Sequence, residues 1–555
     1  MNKNGLIYDV EDKPKASKLI VFALQQVLAI MAATIAVPSI IGLPMQIPAA
    51  LLGAGIGTIV YLLFTRFKSP VFLGSSFAFL SSLGVAVAYG YCGILVGSIF
   101  AGLVYVILAI IIHFAGTKWV SKLMPPVIIG PTVALIGLSL AGAAIGDLVK
   151  ASGFYAQEYG RVGGVADLIN NTATYNLIAL LCGLVAFITI VICSSQKKFK
   201  SMKLIPFIIG IGAGYLCAAF FSIFGYACDV DYLKIINWTP LVENFVVDGK
   251  FTGITAFLDY PRFGLVEAIK EMVNGGVGEN IIAATTNPKT GLSSATLLNG
   301  TGVAEVAIAF IPVALVVFAE HIADHKNLGS IIGRDLVEGE PGLEKTLLGD
   351  GVGSIAGTLV GICPNTTYGE SVGCVAITKN ASIRTIFVAA LMCIGLSFIS
   401  PLMALLRTIP NCVMGGVCLT LYGFIAVSGL KMFKNIDLGD NKNLFTVSAI
   451  LIAGIGGLTI QIPYALNGDG SVAKTITITS IATALILGIA THAIMNAIEK
   501  KNAEVASDLT DNDAPESLVA GAVAPEADFE IKGDAAVEEA PATDDVAADT
   551  TEDKE

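Results

Sequence analysis

LLGAGIGTI at residues 51–59 and LLGDGVGSI at residues 347–355 share six of nine positions. Less than twenty residues on, each copy reaches a proline that opens a segment with polar residues in its middle: PVFLGSSFAF from Pro70 and PNTTYGESVG from Pro364. Further along come PPVIIG (Pro125 to Gly130) and PNCVMG (Pro410 to Gly415). Glycine alone is common where membrane helices pack closely. Three markers repeated in one order make an internal repeat.

Composition says where the repeat sits. The chain has 555 residues, 54% hydrophobic and 14% charged, with a mean hydropathy of +0.76. Soluble domains carry about 25% charged residues. At 14% this chain cannot cover a water-exposed surface, which excludes soluble classes for most of its length. The net charge of −11 is uneven. Residues 501–555 hold 17 of the 44 acids and 3 of the 33 bases, which leaves 27 acids against 30 bases in residues 1–500.

A spanning helix needs roughly 20 apolar residues. Fourteen runs qualify as segments: 18–37, 46–65, 70–89, 92–115, 125–144, 174–194, 203–225, 303–321, 346–363, 365–379, 384–402, 409–429, 443–463 and 475–497. The third and tenth are short, polar in the middle and preceded by Pro70 and Pro364. Seven runs per copy is odd, so the second copy enters from the opposite face. The expected fold is an all-α polytopic membrane protein with 14 transmembrane segments in a 7+7 inverted repeat, an arrangement of many secondary transporters.

Charge sets the orientation. With the N-terminus cytoplasmic, 24 of the 33 Lys and Arg fall on the cytoplasmic side. Five of the remaining nine lie in the long external segment 226–302, and the short external loops hold only Lys150, Arg161, Arg407 and Lys474. This is the positive-inside pattern, with both termini inside. The divisions are a cytoplasmic N-terminus (1–17), a first repeat (18–225), an external loop (226–302), a second repeat (303–498) and a disordered acidic tail (499–555), which lacks the apolar area to offset ordering entropy. The polar start carries no signal-peptide pattern, so the first run is expected to be retained. The ten cysteines show no CxxC or metal-ligand spacing.

The broken segments locate the chemistry. Irregular backbone survives at membrane depth only where protein or a water-filled cavity satisfies it. Matching breaks in two inverted halves point to a midplane site where half-helix N-termini meet, here near Ser75, Ser76 and Phe77 and near Tyr368, Gly369 and Glu370. Glu320, His321, Asp324, Asp350 and Glu370 fall in or at the ends of the runs. A charge at a helix centre costs roughly 2.5–3.5 kcal/mol on insertion scales, so such residues normally face a cavity. Glu320 and Asp324 are four apart and share a helix face, which suits proton coupling. Asp350 reads as a residue near a membrane edge that caps or packs, and His113 as a helix-end residue. The glycines at 53, 55 and 57 do not form GxGxxG, and no Walker lysine or HExxH occurs.

At ALQQVLAIMAATIAVP (23–38), PVFLGSSFAF (70–79), FAEHIADH (318–325), PNTTYGESVGCVAITK (364–379) and PNCVMGG (410–416) the chain resembles the nucleobase–ascorbate transporter family, and within it the bacterial uracil permeases. The likeness covers roughly residues 18–497. It implies a core domain of spans 1–4 and 8–11, and a gate domain of spans 5–7 and 12–14 that also makes the homodimer contact. It also implies two short antiparallel strands before the third and tenth helices, with substrate between them and the eighth helix.

Glu320, in AEHI, is implied as the carboxylate accepting pyrimidine N–H groups, and Glu370, in TYGE, as the second carboxylate. Phe77 and Gly369 would offer backbone N–H groups to the ring carbonyls, with Ala33, Ser76 and Tyr368 lining the pocket. Hydrogen bonds to charged groups are worth roughly 1.5–3 kcal/mol each, and two or three reach micromolar binding. The family pattern has Asn and Arg where this chain has Ser371 and Lys379, and His in some members where it has Asp324.

The resulting expectation is a plasma-membrane symporter importing uracil with protons carried on Glu320, Glu370 or Asp324. It has no metal or organic cofactor, no enzymatic activity and no nucleic-acid partner. Xanthine or uric acid uptake is the rival within transport. An anion exchanger or channel would want a cation near the half-helices, where Glu320 and Glu370 stand instead.

Overall fold

The computed structural model describes residues 5–41, 43, 46–149, 177–196, 202, 205–273, 298–466 and 472–511. Lys150, Arg161, residues 274–297 of the external segment and the tail from 512 lie outside the described residues. Among the described residues, nine helices are long and apolar enough to cross a membrane, including Ala16–Ile40, Ile47–Phe64, Gly90–Ala115 and Gly300–Ile332. The chain is a multi-pass membrane protein.

The two glycine stretches form the centre. They lie in helices Ile47–Phe64 and Leu343–Val360, which cross face to face. A Cβ at Gly53 would stand 2.5 Å from Gly357 O, and one at Gly353 would stand 2.8 Å from Gly57 O. Only glycine lets the backbones come this close. The second glycine of each stretch faces elsewhere. A Cβ at Gly55 would stand 2.8 Å from Ala390 O of helix Ile383–Leu396, and one at Gly351 would stand 2.8 Å from Gly102 O of helix Gly90–Ala115. Each copy's glycine helix therefore rests on a helix from the other copy.

The PPVIIG and PNCVMG markers open a second crossing. Helices Pro126–Ser139 and Asn411–Lys431 touch through backbone. A Cβ at Gly137 would stand 2.3 Å from Tyr422 O, and one at Gly429 would stand 2.2 Å from Ala134 N. At one end of the bundle the N-terminal segment lies along residues 379–383. Ile7 N donates to Lys379 O at 2.8 Å, and Ala381 N donates to Tyr8 O at 2.9 Å. Arg334 pairs with Asp9 at 3.3 Å on the same side.

Three expectations change. The run 303–321 belongs to a longer helix, Gly300–Ile332, ended by Gly333 in the left-handed conformation (φ 67°). Asp324 and His325 are consequently buried inside a helix instead of emerging from it. Runs 443–463 and 475–497 are not two clean helices. Helix Asn441–Ile455 stops at Gly456 and Gly457, and a hairpin follows, Ile460–Leu466 against Val472–Ile478. Its β-branched alternation (LTIQIPY, TITITS) is a strand signal that an apolar count overlooks. The tail does not begin at residue 499, because helix Ser480–Asp511 runs on through it. The Ala, Glu and Lys of AIEKKNAEVAS are good helix formers.

Candidate functional site

Where the two breaks meet, strand Leu73–Ser75 pairs antiparallel with strand Asn365–Thr367, Leu73 opposite Thr367 and Ser75 opposite Asn365. Ser76 N donates to Pro364 O at 3.0 Å, and Tyr368 N donates to Phe72 O at 3.2 Å. Each strand leads into a helix too short to cross a membrane, Leu80–Val87 and Gly369–Thr378. A three-residue strand cannot hold itself in place. Two hydroxyls at matching repeat positions brace it. Thr58 Oγ1 accepts from Leu73 N at 2.9 Å, and Ser354 Oγ accepts from Asn365 N at 2.9 Å. The Asn365 amide also donates to Gly53 O at 2.9 Å.

Tyr368 closes the crossing. Its hydroxyl donates to Ser75 O at 2.8 Å, and its ring fills the space above Gly74, where a Cβ would lie 2.3 Å from Tyr368 Cε2. Thr34, next to the fully buried Ala33, lies beside the same hydroxyl. Phe77 packs edge-on against Tyr422 at 5.3 Å between ring centroids. That contact joins the strand region to helix Asn411–Lys431.

Helix Gly300–Ile332 brings the carboxylates. Glu320 is half-buried, and Asp324 follows one turn on. Asp324 Oδ2 accepts from Thr367 Oγ1 at 2.8 Å, and Asp324 Oδ1 stands 3.5 Å from where a Gly369 Cβ would be. Glu370 sits in the first turn of its short helix, half-buried. There the unpaired first-turn N–H groups and the helix dipole favour negative charge. Asp324, Glu370 and Asp350 lie close enough to act electrostatically on Glu320. Gly369 is exposed, and Ser76 Oγ is buried with no partner among the described residues.

The structure thus gathers Glu320, Asp324, Tyr368, Gly369, Glu370 and Ser76 around one strand crossing. Ala33 and Phe77 stand at its edge, tied in through Thr34 and Tyr422. Chemically the site offers carboxylate acceptors, N–H donors at the start of a short helix and the Ser76 hydroxyl. A small, flat, polar molecule with both N–H and C=O groups complements that set. Among the described residues no group of His, Cys, Asp and Glu could hold a metal ion. The departures from the family pattern have local roles. Ser371 Oγ accepts from Phe72 N at 3.2 Å and from the Gln26 amide, and Lys379 caps its helix in the left-handed conformation (φ 55°).

A polar network beside the site escaped the sequence reading. His321 Nδ1 is 2.7 Å from Asp350 Oδ2, and its Nε2 is 3.0 Å from Thr346 Oγ1. The His325 ring stacks on it at 4.1 Å, and its Nε2 is 2.7 Å from the Tyr61 hydroxyl, which donates to Ser69. Both histidines and Asp350 are fully buried. Asp350 is therefore a mid-helix partner of His321 and not a cap at a membrane edge. The available signal was a departure inside the repeat, Ala54 in one copy against Asp350 in the other.

A model described as a permease family matches residues 17–236 and 297–463. The chain is 32% identical to the uracil permease of Bacillus caldolyticus over 495 residues, covering 89% of this chain and 95% of that protein. It is 33% identical to the uracil permease of Bacillus subtilis (strain 168) over 465 residues, 83% of this chain and 91% of that one. A putative pyrimidine permease of Escherichia coli (strain K12) is 27% identical over 480 residues, 84% of this chain and 90% of the other. Among solved structures, the transmembrane domain of a cyanobacterial bicarbonate transporter, BicA, aligns with a TM-score of 0.50 at 13% identity, covering 87% of this chain and 98% of that one. SLC26A9 aligns with a TM-score of 0.52 at 10% identity, covering 88% and 66%. At those identities the two structures share a fold with this chain and nothing finer.

Proposed function

The chain belongs to this permease family, the nucleobase–ascorbate transporters, and from that premise we propose that it is a uracil importer driven by proton symport. It is a transporter and not an enzyme. The observation that carries the substrate class is the gathering of Glu320, Glu370 and the opening of helix Gly369–Thr378 at one strand crossing. Uracil presents two N–H donors and two carbonyl acceptors to such a set. Glu320 and Glu370 take the N–H groups, the backbone N–H groups of Phe77 and Gly369 take the carbonyls, and Ala33, Ser76 and Tyr368 line the ring. The proton travels on Glu320, Glu370 or Asp324. The resident protein needs no cofactor beyond the co-transported proton.

The mechanism follows from the two crossings. Fourteen segments, seven per repeat, divide into a core around the glycine helices and strands (spans 1–4 and 8–11) and a gate around PPVIIG and PNCVMG (spans 5–7 and 12–14). What supports that count is the nine long apolar helices among the described residues, together with the two strand-led short helices and helices Leu343–Val360, Ile383–Leu396 and Asn441–Ile455. The core carries the site past the gate, which also makes the homodimer contact. Both termini are cytoplasmic, in the plasma membrane. An anion exchanger on this scaffold is disfavoured, because an anion here meets Glu320 and Glu370 at close range.

The test is radiolabelled uracil uptake into proteoliposomes under an inward proton gradient, comparing wild type with Glu320→Gln. Gradient-driven uptake that is lost in the variant supports the reading. Folded wild-type protein that takes up xanthine or uric acid and ignores uracil overturns the uracil assignment. Uracil uptake indifferent to the proton gradient overturns the coupling alone.

A further inference from the structure

The external segment contains a helix, Gly264–Val273, with its two faces reversed. Glu267 and Glu271 point inward and are 8% and 3% exposed, with Gly264 and Ala268 beside them. Leu265, Val266, Ile269, Met272 and Val273 point outward, Met272 and Val273 at 66% and 79%. In a helix lying on a water-exposed surface the charged stripe faces out. Here the acids face the protein and the apolar stripe faces away from it.

The inward face fixes the depth of this helix. Glu271 accepts from Tyr91 N at 3.1 Å and Cys92 N at 3.2 Å, in the first turn of the 26-residue spanning helix Gly90–Ala115. Gly90 leaves room for that carboxylate, since a Cβ there would stand 2.6 Å from Glu271 Oε2. Cys92 Sγ lies 3.2 Å from Ala268 O. At its other end, a Cβ on Gly264 would stand 2.4 Å from Gly361 O, just past helix Leu343–Val360. Anchored at the first turn of spanning helix Gly90–Ala115 and just past helix Leu343–Val360, it lies level with the end of a spanning helix, where hydrocarbon gives way to headgroups. Lys270 lies beside the outward stripe; its ammonium pairs with Glu267 at 2.7 Å while its side chain stays 59% exposed, which leaves the charge open to phosphate from the outer side.

We propose that helix Gly264–Val273 is an interfacial membrane helix whose outward stripe is covered by phospholipid, with Lys270 facing the headgroups. It tethers the external segment to the bilayer at the Gly90 end of the protein. Such helices bind by buried apolar area together with attraction to lipid charge. The inference is independent of what is transported.

The test uses the full chain with its two tryptophans replaced (Trp119→Phe, Trp238→Phe) and Met272→Trp added, reconstituted in phosphatidylcholine–phosphatidylglycerol vesicles. The expected result is blue-shifted emission, lost on incorporating brominated phospholipid and unaffected by aqueous iodide. Red-shifted emission quenched by iodide and indifferent to brominated lipid overturns the proposal, because water then covers the stripe. Emission shielded from both quenchers overturns it in favour of a second copy or another protein at that face. Val273→Trp repeats the measurement should Met272→Trp fail to fold, and Asp248→Trp, on an exposed turn, is the water-facing control.

Discussion

Helices Ile47–Phe64 and Leu343–Val360 are built on the same nine-residue plan and meet at the equivalent glycines Gly57 and Gly353, yet they do different work. The first presents Ala54, fully buried. The second presents Asp350 at the matching position, paired with His321 at 2.7 Å. Thr58 and Ser354, equivalent in the repeat, brace one strand each. The frame is therefore symmetric and the chemistry is not. Two short helices follow the paired strands, and helices Leu343–Val360, Gly369–Thr378 and Gly300–Ile332 carry the ionisable groups.

That contrast can be broken by exchange. Ala54→Asp places in the first copy the carboxylate that the second one tolerates. With no histidine prepared for it, the uncompensated buried charge should cost about 3–5 kcal/mol, read as a collapse of thermal stability in detergent. An Ala54→Asp protein as stable as wild type would mean that the two environments are alike. Next come the shared positions. Gly57→Val and Gly353→Val should each destabilise by about 1–3 kcal/mol through overpacking against backbone, to a similar degree. A large difference between them would show that the crossing is not symmetric.

Asp350→Ala gives the second copy the first copy's residue. A His321 donor left without its acceptor should cost about 1–3 kcal/mol, and uracil uptake should fall more than stability accounts for. Uptake that survives in a destabilised protein would assign Asp350 to the frame. The smallest effects belong to the braces. Thr58→Val and Ser354→Ala should each lose about 0.5–1.5 kcal/mol and weaken uracil affinity together, since both hold the same strand pair. A defect confined to one of them would separate the two strands' roles.

Much of this was legible in the sequence because repeats and membrane cost leave large marks. The glycine stretches, Pro70 and Pro364 marked the two helix pairs and the breaks, and Glu320 and Glu370 stood out as charges that need a cavity. What stayed hidden depended on pairing across the chain. His321 and His325 reveal nothing in sequence about Asp350 and Tyr61, which lie on other helices. The hairpin at 460–478 hid inside an apolar count that ignores period. Which face of helix Gly264–Val273 turns inward was not legible, because Glu271 finds its donors on residues 91 and 92.

The strand crossing also sets a timetable for manufacture. Residues 73–75 obtain their backbone partners from residues 365–367. At about 5–20 residues per second of synthesis, the first strand emerges on the order of 15–60 s before the second exists. Throughout that wait its N–H and C=O groups lack their final partners, a condition that a bilayer interior penalises by several kcal/mol per group. The newborn first half must therefore be sheltered by the insertion machinery or by borrowed water until the second half arrives. A ribosome stalled between the two strands would leave behind a membrane protein that is inserted, correctly oriented and still unfinished.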